Sequence, residues 1–403
     1  MRSLADWLTW QEGLHLSAID LGLTRIRQVA ARLNLLTPTV PIVTVAGTNG
    51  KGSTCAMLTQ ALHLQGYKVG TYTSPHILHY NERIAINGQP VDDTFICQAF
   101  AAIDAARADI SLTYFEFGTL AAVWCFQQAQ VDVMVLEVGL GGRLDAVNLW
   151  DADVGIITSI GIDHVEWLGS TREAIGYEKA GIMRAHKPIV CGDPNPPASI
   201  AEQAQAVAAV LYQYGRDFNA EDLPQPRLLG AHQLQNAACV REGLLQLAPR
   251  LPISLESIKQ GIEQAQVLGR LQRLQTQPEL YIDVAHNPHA VKELAEWLKK
   301  NPSDGKLFVI FSILADKDST GVIDIMRPLV DEWALVQLTG SRAVDIGVLK
   351  TQMLAQGVTA PIQLYSNFQT AWDNVKQAAN TNDRIIAFGS FLVVTGMLTT
   401  LEH

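Results

Sequence analysis

The segment Ile42-Val-Thr-Val-Ala-Gly-Thr-Asn-Gly-Lys-Gly-Ser-Thr54 runs from a hydrophobic strand pattern through a glycine-rich turn into a helical pattern, and its residue types suit phosphate binding. Glycines let backbone amides approach phosphate oxygens, and the following helix offers its positive end. Lys51 supplies a point charge, and a hydroxyl can ligate a magnesium ion. The candidates are Thr48, Asn49, Gly50, Lys51, Gly52 and Ser53. Two departures from the strict nucleotide-loop pattern stand out: Val45 occupies the first glycine position, and Gly52 is inserted between Lys51 and the hydroxyl of Ser53. The competing reading is a glycine-rich turn with a solvated lysine, and the strand-then-helix context argues against it.

Further chemistry-bearing residues lie downstream. Glu137 ends a hydrophobic run and His164 follows the next one, on the edge where a doubly wound sheet places its ligands. Taken singly, Glu137 reads equally as a helix-cap partner. His164 reads as a base or a core histidine, since histidine is an unusual ligand for a hard ion. Lys179, beside Glu178, has the bland reading of a solvated lysine. Asp283-Val-Ala-His-Asn-Pro288 stands at the end of another strand pattern, with His286 a plausible polar contact. Phe115, taken singly, reads first as part of the apolar face of a helix and only second as a ring that stacks on a flat ligand.

These residues need a scaffold, and short apolar runs alternating with helical patterns indicate a sheet built by strand–helix crossovers. Strands are expected at 41–47, 68–72, 131–138, 154–160 and 188–191, their Val/Ile content implying burial on both faces under helices such as 53–65 and 115–128. Between 195 and 235 the pattern weakens amid prolines, which reads as a surface excursion. Helical patterns return at 236–247 and 255–265. A second alternation follows, with strands at 279–284, 306–313, 332–338, 362–365 and 384–388. The chain therefore divides into domains 1–272 and 273–403. Neither internal repeats nor low-complexity tracts are present.

Composition narrows the function classes. A formal charge of −10 argues against a nucleic-acid surface, so anionic ligands must be met by a local pocket. Five scattered cysteines without a Cys-x-x-Cys pair suggest reduced core thiols. The N-terminus does not suit a signal peptide and no apolar run is long enough to span a bilayer, giving a cytoplasmic expectation without membrane partners.

The variant loop Gly47-Thr-Asn-Gly-Lys-Gly-Ser53 resembles the nucleotide loop of the Mur ligase superfamily, and Gly52 points to its folate branch. Matching runs follow in order: Tyr72-Thr-Ser-Pro-His76, Asn81-Glu-Arg-Ile84, Thr113-Tyr-Phe-Glu-Phe-Gly-Thr-Leu120 and Leu136-Glu-Val-Gly-Leu-Gly-Gly-Arg-Leu-Asp145. Thr158-Ser-Ile-Gly-Ile-Asp-His164, Glu178-Lys-Ala-Gly-Ile182, Asp283-Val-Ala-His-Asn-Pro288 and Gly389-Ser-Phe391 complete the set. The chain thus resembles the folylpolyglutamate synthases of the bifunctional dihydrofolate synthase type. This implies an α/β fold, with a P-loop-type doubly wound N-terminal domain and a smaller Rossmann-like C-terminal domain.

The resemblance also implies ATP and Mg²⁺. Ser74, Glu137 and His164 would bind magnesium, with Ser53 a further candidate, and Lys179 would be carbamylated by carbon dioxide. Asn236, Arg270 and Asp283 would contact nucleotide. Lys51, Lys179, His164, Asp283 and His286 would form the catalytic set. Asp20, Leu21, Gly22, Thr113, Phe115 and Asp145 resemble a dihydropteroate site, while Asp316, Lys317, Asp318 and Ser390 are further candidates without assigned contacts. Leu392 and Val147 depart from the family pattern.

The implied chemistry is amide formation. It requires a better leaving group than hydroxide, which transfer of the ATP γ-phosphoryl to a carboxylate provides as an acyl phosphate. The expected acceptors are dihydropteroate and reduced folylglutamates, the amine is L-glutamate, and the chain is expected to be a monomer. Rival readings are a monofunctional folylpolyglutamate synthase, a peptidoglycan-precursor amino-acid ligase, and a nucleotide-dependent switch without ligase chemistry.

Overall fold

The computed structural model describes residues 2–402 and divides into two compact α/β units. One comprises 2–161, 168–227 and 233–266; the other comprises 162–167, 228–232 and the chain from 267 onward.

The N-terminal unit is built on eight strands: β1 Ile42–Ala46, β2 Val69–Tyr72, β3 Ile84–Ile86, β4 Gln89–Pro90, β5 Val133–Glu137, β6 Val154–Ile157, β7 Pro188–Cys191 and β8 Val210–Gln213. Their order is β4-β3-β2-β5-β1-β6-β7-β8. The six strands from β2 to β8 in that order are parallel. The two edge strands β3 and β4 run antiparallel. Strand alternation sends Val43, Val45, Val135 and Ile156 to a core layer shared with Leu58, Ala238 and Ile262. Ile42, Ala46, Leu136 and Ile157 enter the opposite layer, with Phe117, Phe126 and Ile175. Helices therefore cover both faces, and the uninterrupted apolar strands follow from that burial.

The C-terminal unit carries β9 Gln272–Thr276, β10 Glu279–Ile282, β11 Leu307–Phe311, β12 Glu332–Val336, β13 Ile362–Tyr365 and β14 Arg384–Phe388. Their order is β13-β12-β11-β14-β10-β9. All neighbours pair in parallel except the β10–β9 hairpin. Val309, Phe311, Trp333, Ile386 and Phe388 form the centre of its core.

The expected surface excursion is only partly irregular. Helix Ala198–Ala206 leads into β8, which pairs with β7 and extends the sheet. Pro194, Pro196 and Pro197 stand before this helix, Pro197 at its N-cap, where a missing amide costs little, and Pro224 and Pro226 fall in the irregular chain after β8. The β3–β4 hairpin was also absent from the sequence reading. Its Asn87-Gly88 turn, with both residues at positive φ, was the available signal. Strand β9 is a polar edge strand, pairing only with β10, that an apolar pattern does not reveal.

Candidate active site

The phosphate loop leaves the end of β1 and enters helix Lys51–Leu64 with Gly50 at its N-cap, φ 87°. A Cβ there would lie 2.6 Å from Asn236 Oδ1, so the backbone and the helix His232–Leu247 meet closely at this turn. Glycine meets both demands. The loop is stapled to the chain after β6. Thr48 N donates to Ser159 O at 2.8 Å. Thr48 Oγ1 exchanges 3.0 Å bonds with Gly161, and Thr158 Oγ1 donates to Asn49 O at 2.6 Å. Lys51 Nζ curls over the loop, 3.1 Å from Gly47 O and 3.3 Å from Thr48 O. Ser53 is buried on the first helical turn. Asn236, one helix away, is buried and donates to Gln233 Oε1 at 2.9 Å.

Glu137 pairs in register with Val45, which puts its carboxylate on the sheet edge from which the phosphate loop emerges. Its Oε2 accepts the Ser74 amide at 3.1 Å, joining the segment after β2 to the end of β5. Glu82 holds that segment in shape by accepting the amides of Ile77, Leu78 and His79 at 2.6–2.8 Å. A buried carboxylate with a serine hydroxyl on the adjoining segment and Ser53 on the neighbouring helix is a hard-oxygen donor set. It suits Mg²⁺.

The loop after Glu137 gathers the remaining N-terminal candidates. Glu178 O accepts the Arg143 amide at 2.8 Å, and the Arg143 guanidinium bonds the Glu178 carboxylate at 2.9 Å. Lys179, next in the same helix, is buried. A solvated lysine is therefore excluded there. The Gly139 Cα lies so close to Phe115 that an added Cβ would meet its ring at 2.5 Å, and Gly22 N donates to Leu144 O at 3.2 Å. Asp20, Leu21, Gly22, Phe115 and Asp145 thus border one loop. Thr113 also serves locally, as N-cap of helix Tyr114–Ala129 with Glu116 completing the capping box. Asp20 is held by Arg25 at 2.6 Å and His15 at 3.0 Å.

Candidates in the C-terminal unit stand near strand ends: Asp283 and His286 after β10, Asp316, Lys317 and Asp318 after β11, Ser390 after β14, and Arg270 just before β9. Asp283 accepts the amides of Ala285 at 2.6 Å and Leu271 at 2.7 Å. Burial raises its pKa against those bonds and the nearby Arg270 charge. The Arg270 guanidinium lies 5.3 Å over the Phe391 ring, and His286 stands 6.1 Å from the same ring. Ser390 is buried at the N-cap of the last helix. Asp316 is bound by Arg342 in bidentate fashion, and Asp318 caps helix Ser319–Met326. Lys317 forms a 2.7 Å pair with Asp163, a residue that sequence reasoning did not single out. His164 belongs with this unit, through the segment 162–167. Among the described residues, no three His, Cys, Asp or Glu side chains form a metal cage by themselves. Leu392 is exposed and Val147 fully buried.

A Gly-rich nucleotide loop on a doubly wound sheet, followed by a second α/β unit, is the organisation of the Mur ligases. Residues 45–242 match the Mur ligase middle domain, and residues 269–391 match the Mur ligase glutamate ligase domain. The chain belongs to the dihydrofolate synthase/folylpolyglutamate synthase family. It is 41% identical to the Escherichia coli (strain K12) dihydrofolate synthase/folylpolyglutamate synthase, covering 99% of this chain and 96% of that one. The Haemophilus influenzae protein of the same name is 38% identical, with 99% and 98% covered. The structure of E. coli FolC in complex with DHPP and ADP superposes with a TM-score of 0.94 at 41% identity, covering 100% of this chain and 98% of that one. The Yersinia pestis bifunctional enzyme with Mn, AMPPNP and L-glutamate bound gives 0.92 at 43%, covering 100% and 99%.

Asp145 generates a pH prediction. Burial pushes its carboxyl up to about 7 from an ordinary 3.8, although the amides of Leu140, Val147 and Gly139 and the Lys51 charge favour ionisation. Between those values the native state retains a proton that the unfolded chain has released, so stability falls as pH rises through this window. The stability difference between wild type and Asp145→Asn, from denaturant titrations, should move against wild type from about pH 4 to pH 7 and then level off. A difference independent of pH would contradict this assignment.

Proposed function

We propose that this protein is an ATP-dependent ligase that joins L-glutamate to the carboxylate of dihydropteroate and of reduced folylglutamates, through an acyl phosphate. The observation that carries the reading is the register of Val45 with Glu137, which brings a phosphate-binding turn and a buried carboxylate to one sheet edge. The bound ligands named for its relatives, DHPP with ADP, and Mn, AMPPNP and L-glutamate, agree with the same substrate set.

In this reading the loop amides from Thr48 to Ser53 and the Lys51 ammonium hold the ATP phosphates, with Asn236, Arg270 and Asp283 as further nucleotide contacts. Ser74, Glu137 and His164 hold Mg²⁺, with Ser53 beside the nucleotide. The ion supplies charge neutralisation to the transferring phosphoryl group. Lys51 needs only to swing from the carbonyls of Gly47 and Thr48 to reach a phosphate, so the loop keeps its cation in place. Phe115 and Gly139, with Asp20, Leu21, Gly22, Thr113 and Asp145, receive the flat ring of the acid. His286 is a contact for the incoming glutamate or the transferred phosphoryl, and Lys317, which pairs with Asp163 as His286 does, is a further candidate there.

The burial of Lys179 supports its conversion to a carbamate. A buried ammonium beside cation sites is repelled and desolvated, whereas a carbamate contributes an anion there. ¹³C NMR of protein equilibrated with ¹³C-bicarbonate should show one carbamate resonance that disappears in Lys179→Ala. No carbamate resonance, or one unchanged by the substitution, would count against it.

A partner set restricted to small molecules fits the acidic balance of the chain, with net charge −10, and we read the protein as a monomer without nucleic-acid partners. All five cysteines are buried and unbridged, in agreement with a cytoplasmic address. No described helix is long and apolar enough to cross a membrane.

The test is ATP turnover with dihydropteroate or tetrahydrofolate, each with and without glutamate, followed by product mass. ADP release should require glutamate with both acids, and each product should gain one glutamyl residue. Turnover with tetrahydrofolate alone would establish the monofunctional reading. Hydrolysis indifferent to glutamate would leave a nucleotide switch.

A further inference from the structure

Asp163 lies beside a candidate metal ligand but has been given no function above, and its environment is built with unusual completeness. Its Oδ1 accepts the backbone amide of His164 at 2.8 Å and pairs with Lys317 Nζ at 2.7 Å. Its Oδ2 accepts Asn287 Nδ2 at 2.9 Å and stands 3.5 Å from His286 Nε2. The side chains of Asp163 and Lys317 retain only 8% and 5% of their exposure. A pair so far removed from water is maintained only when its remaining hydrogen-bonding capacity is met, and here Asn287 and the His164 amide meet it, with the His286 ring alongside.

The backbone tells the same story. His164 has φ 52°, a left-handed conformation that a non-glycine residue rarely adopts without being held there. The acceptor that holds it is the carboxylate of the preceding residue. The segment 162–167 therefore belongs structurally with the C-terminal unit, although the chain on both sides of it builds the N-terminal one. His286 has its own constraint. Its Nδ1 lies 2.7 Å from Val284 O, which directs Nε2 toward Asp163.

We propose that Asp163 is a positioning residue: its carboxylate sets the turn that presents His164 and, through the same two oxygens, orders Lys317, Asn287 and His286. The metal-facing turn and the amine-side cluster are then one mechanical piece. Loss of the Asp163 charge weakens the bond that holds the His164 amide, removes one of the two acceptor oxygens and leaves the Lys317 ammonium buried without its closest partner. Both faces of the reaction suffer together, whereas the phosphate loop, braced by Thr158 and Ser159, is untouched.

The inference rests on the ligase reading and on the metal-binding assignment of His164. The experiment uses wild type, Asp163→Asn, Lys317→Met and the double variant. Mn²⁺ binding in the presence of AMPPNP is followed by the free-ion electron paramagnetic resonance signal, alongside kcat and the separate KM values for ATP and glutamate. Asp163→Asn should weaken Mn²⁺ binding and lower kcat by about 10–100-fold, the usual effect of losing a group that orients a ligand. Glutamate KM should rise while ATP KM stays within about twofold of wild type. Adding Lys317→Met to Asp163→Asn should cost little more, because both changes remove one shared interaction.

Mn²⁺ affinity in Asp163→Asn within twofold of wild type would overturn the proposal, as would losses from the two substitutions that simply multiply. Should Asp163→Asn fail to fold by circular dichroism, Lys317→Met alone decides: it must raise glutamate KM and weaken Mn²⁺ binding, and unaffected values refute the coupling. Wild-type turnover indifferent to glutamate would instead overturn the ligase reading on which the proposal rests.

Discussion

Everything in this protein answers to a repulsion. A triphosphate and the substrate carboxylate must meet closely, and two unit charges about 4 Å apart repel by about 4 kcal/mol at the effective dielectric of a protein surface. Several such pairs coexist in the encounter. The fold responds by converging fixed positive groups on one sheet edge: the amides of the Gly-rich loop, the N-terminal end of helix Lys51–Leu64 and the Lys51 ammonium. In the proposed reading Glu137, in register with the strand that launches the loop, adds the carboxylate that would retain a divalent ion nearby. Neighbouring parallel strands make this convergence possible, because they all end on the same edge.

That constraint explains which parts could be read from the sequence. The glycine-rich loop is shaped mainly by local backbone geometry, so its neighbours in sequence reveal it as a turn between strand and helix. Glu137 is visible as the end of an apolar strand, although its sequence neighbours alone left its purpose open. Both units were legible for a similar reason: strands buried on both faces leave apolar runs that few other structures produce. The belonging of the chain to its family follows the same runs.

Less legible were elements whose reasons lie far away in the chain. β8 is recognisable only by its pairing with β7, since Val210 is exposed and the run is short. Asp163 sits in a motif that draws the eye to His164, while the groups that explain it, Asn287 and Lys317, stand 124 and 154 residues further on. Thr113 illustrates a different limit. It is a site candidate and a helix cap at once, and sequence cannot apportion one hydroxyl between two purposes. Asp318, by contrast, proves to be a helix cap, which its spacing before Gly321 could have announced.

The central claim is that the folate carboxylate is phosphorylated before the amine attacks it. Dihydropteroate carrying ¹⁸O in its carboxylate, turned over with unlabelled ATP and glutamate, tests this by mass spectrometry of the phosphate released. The account predicts that each inorganic phosphate acquires one labelled oxygen while ADP remains unlabelled. Phosphate free of the label, or label appearing in AMP, would contradict it.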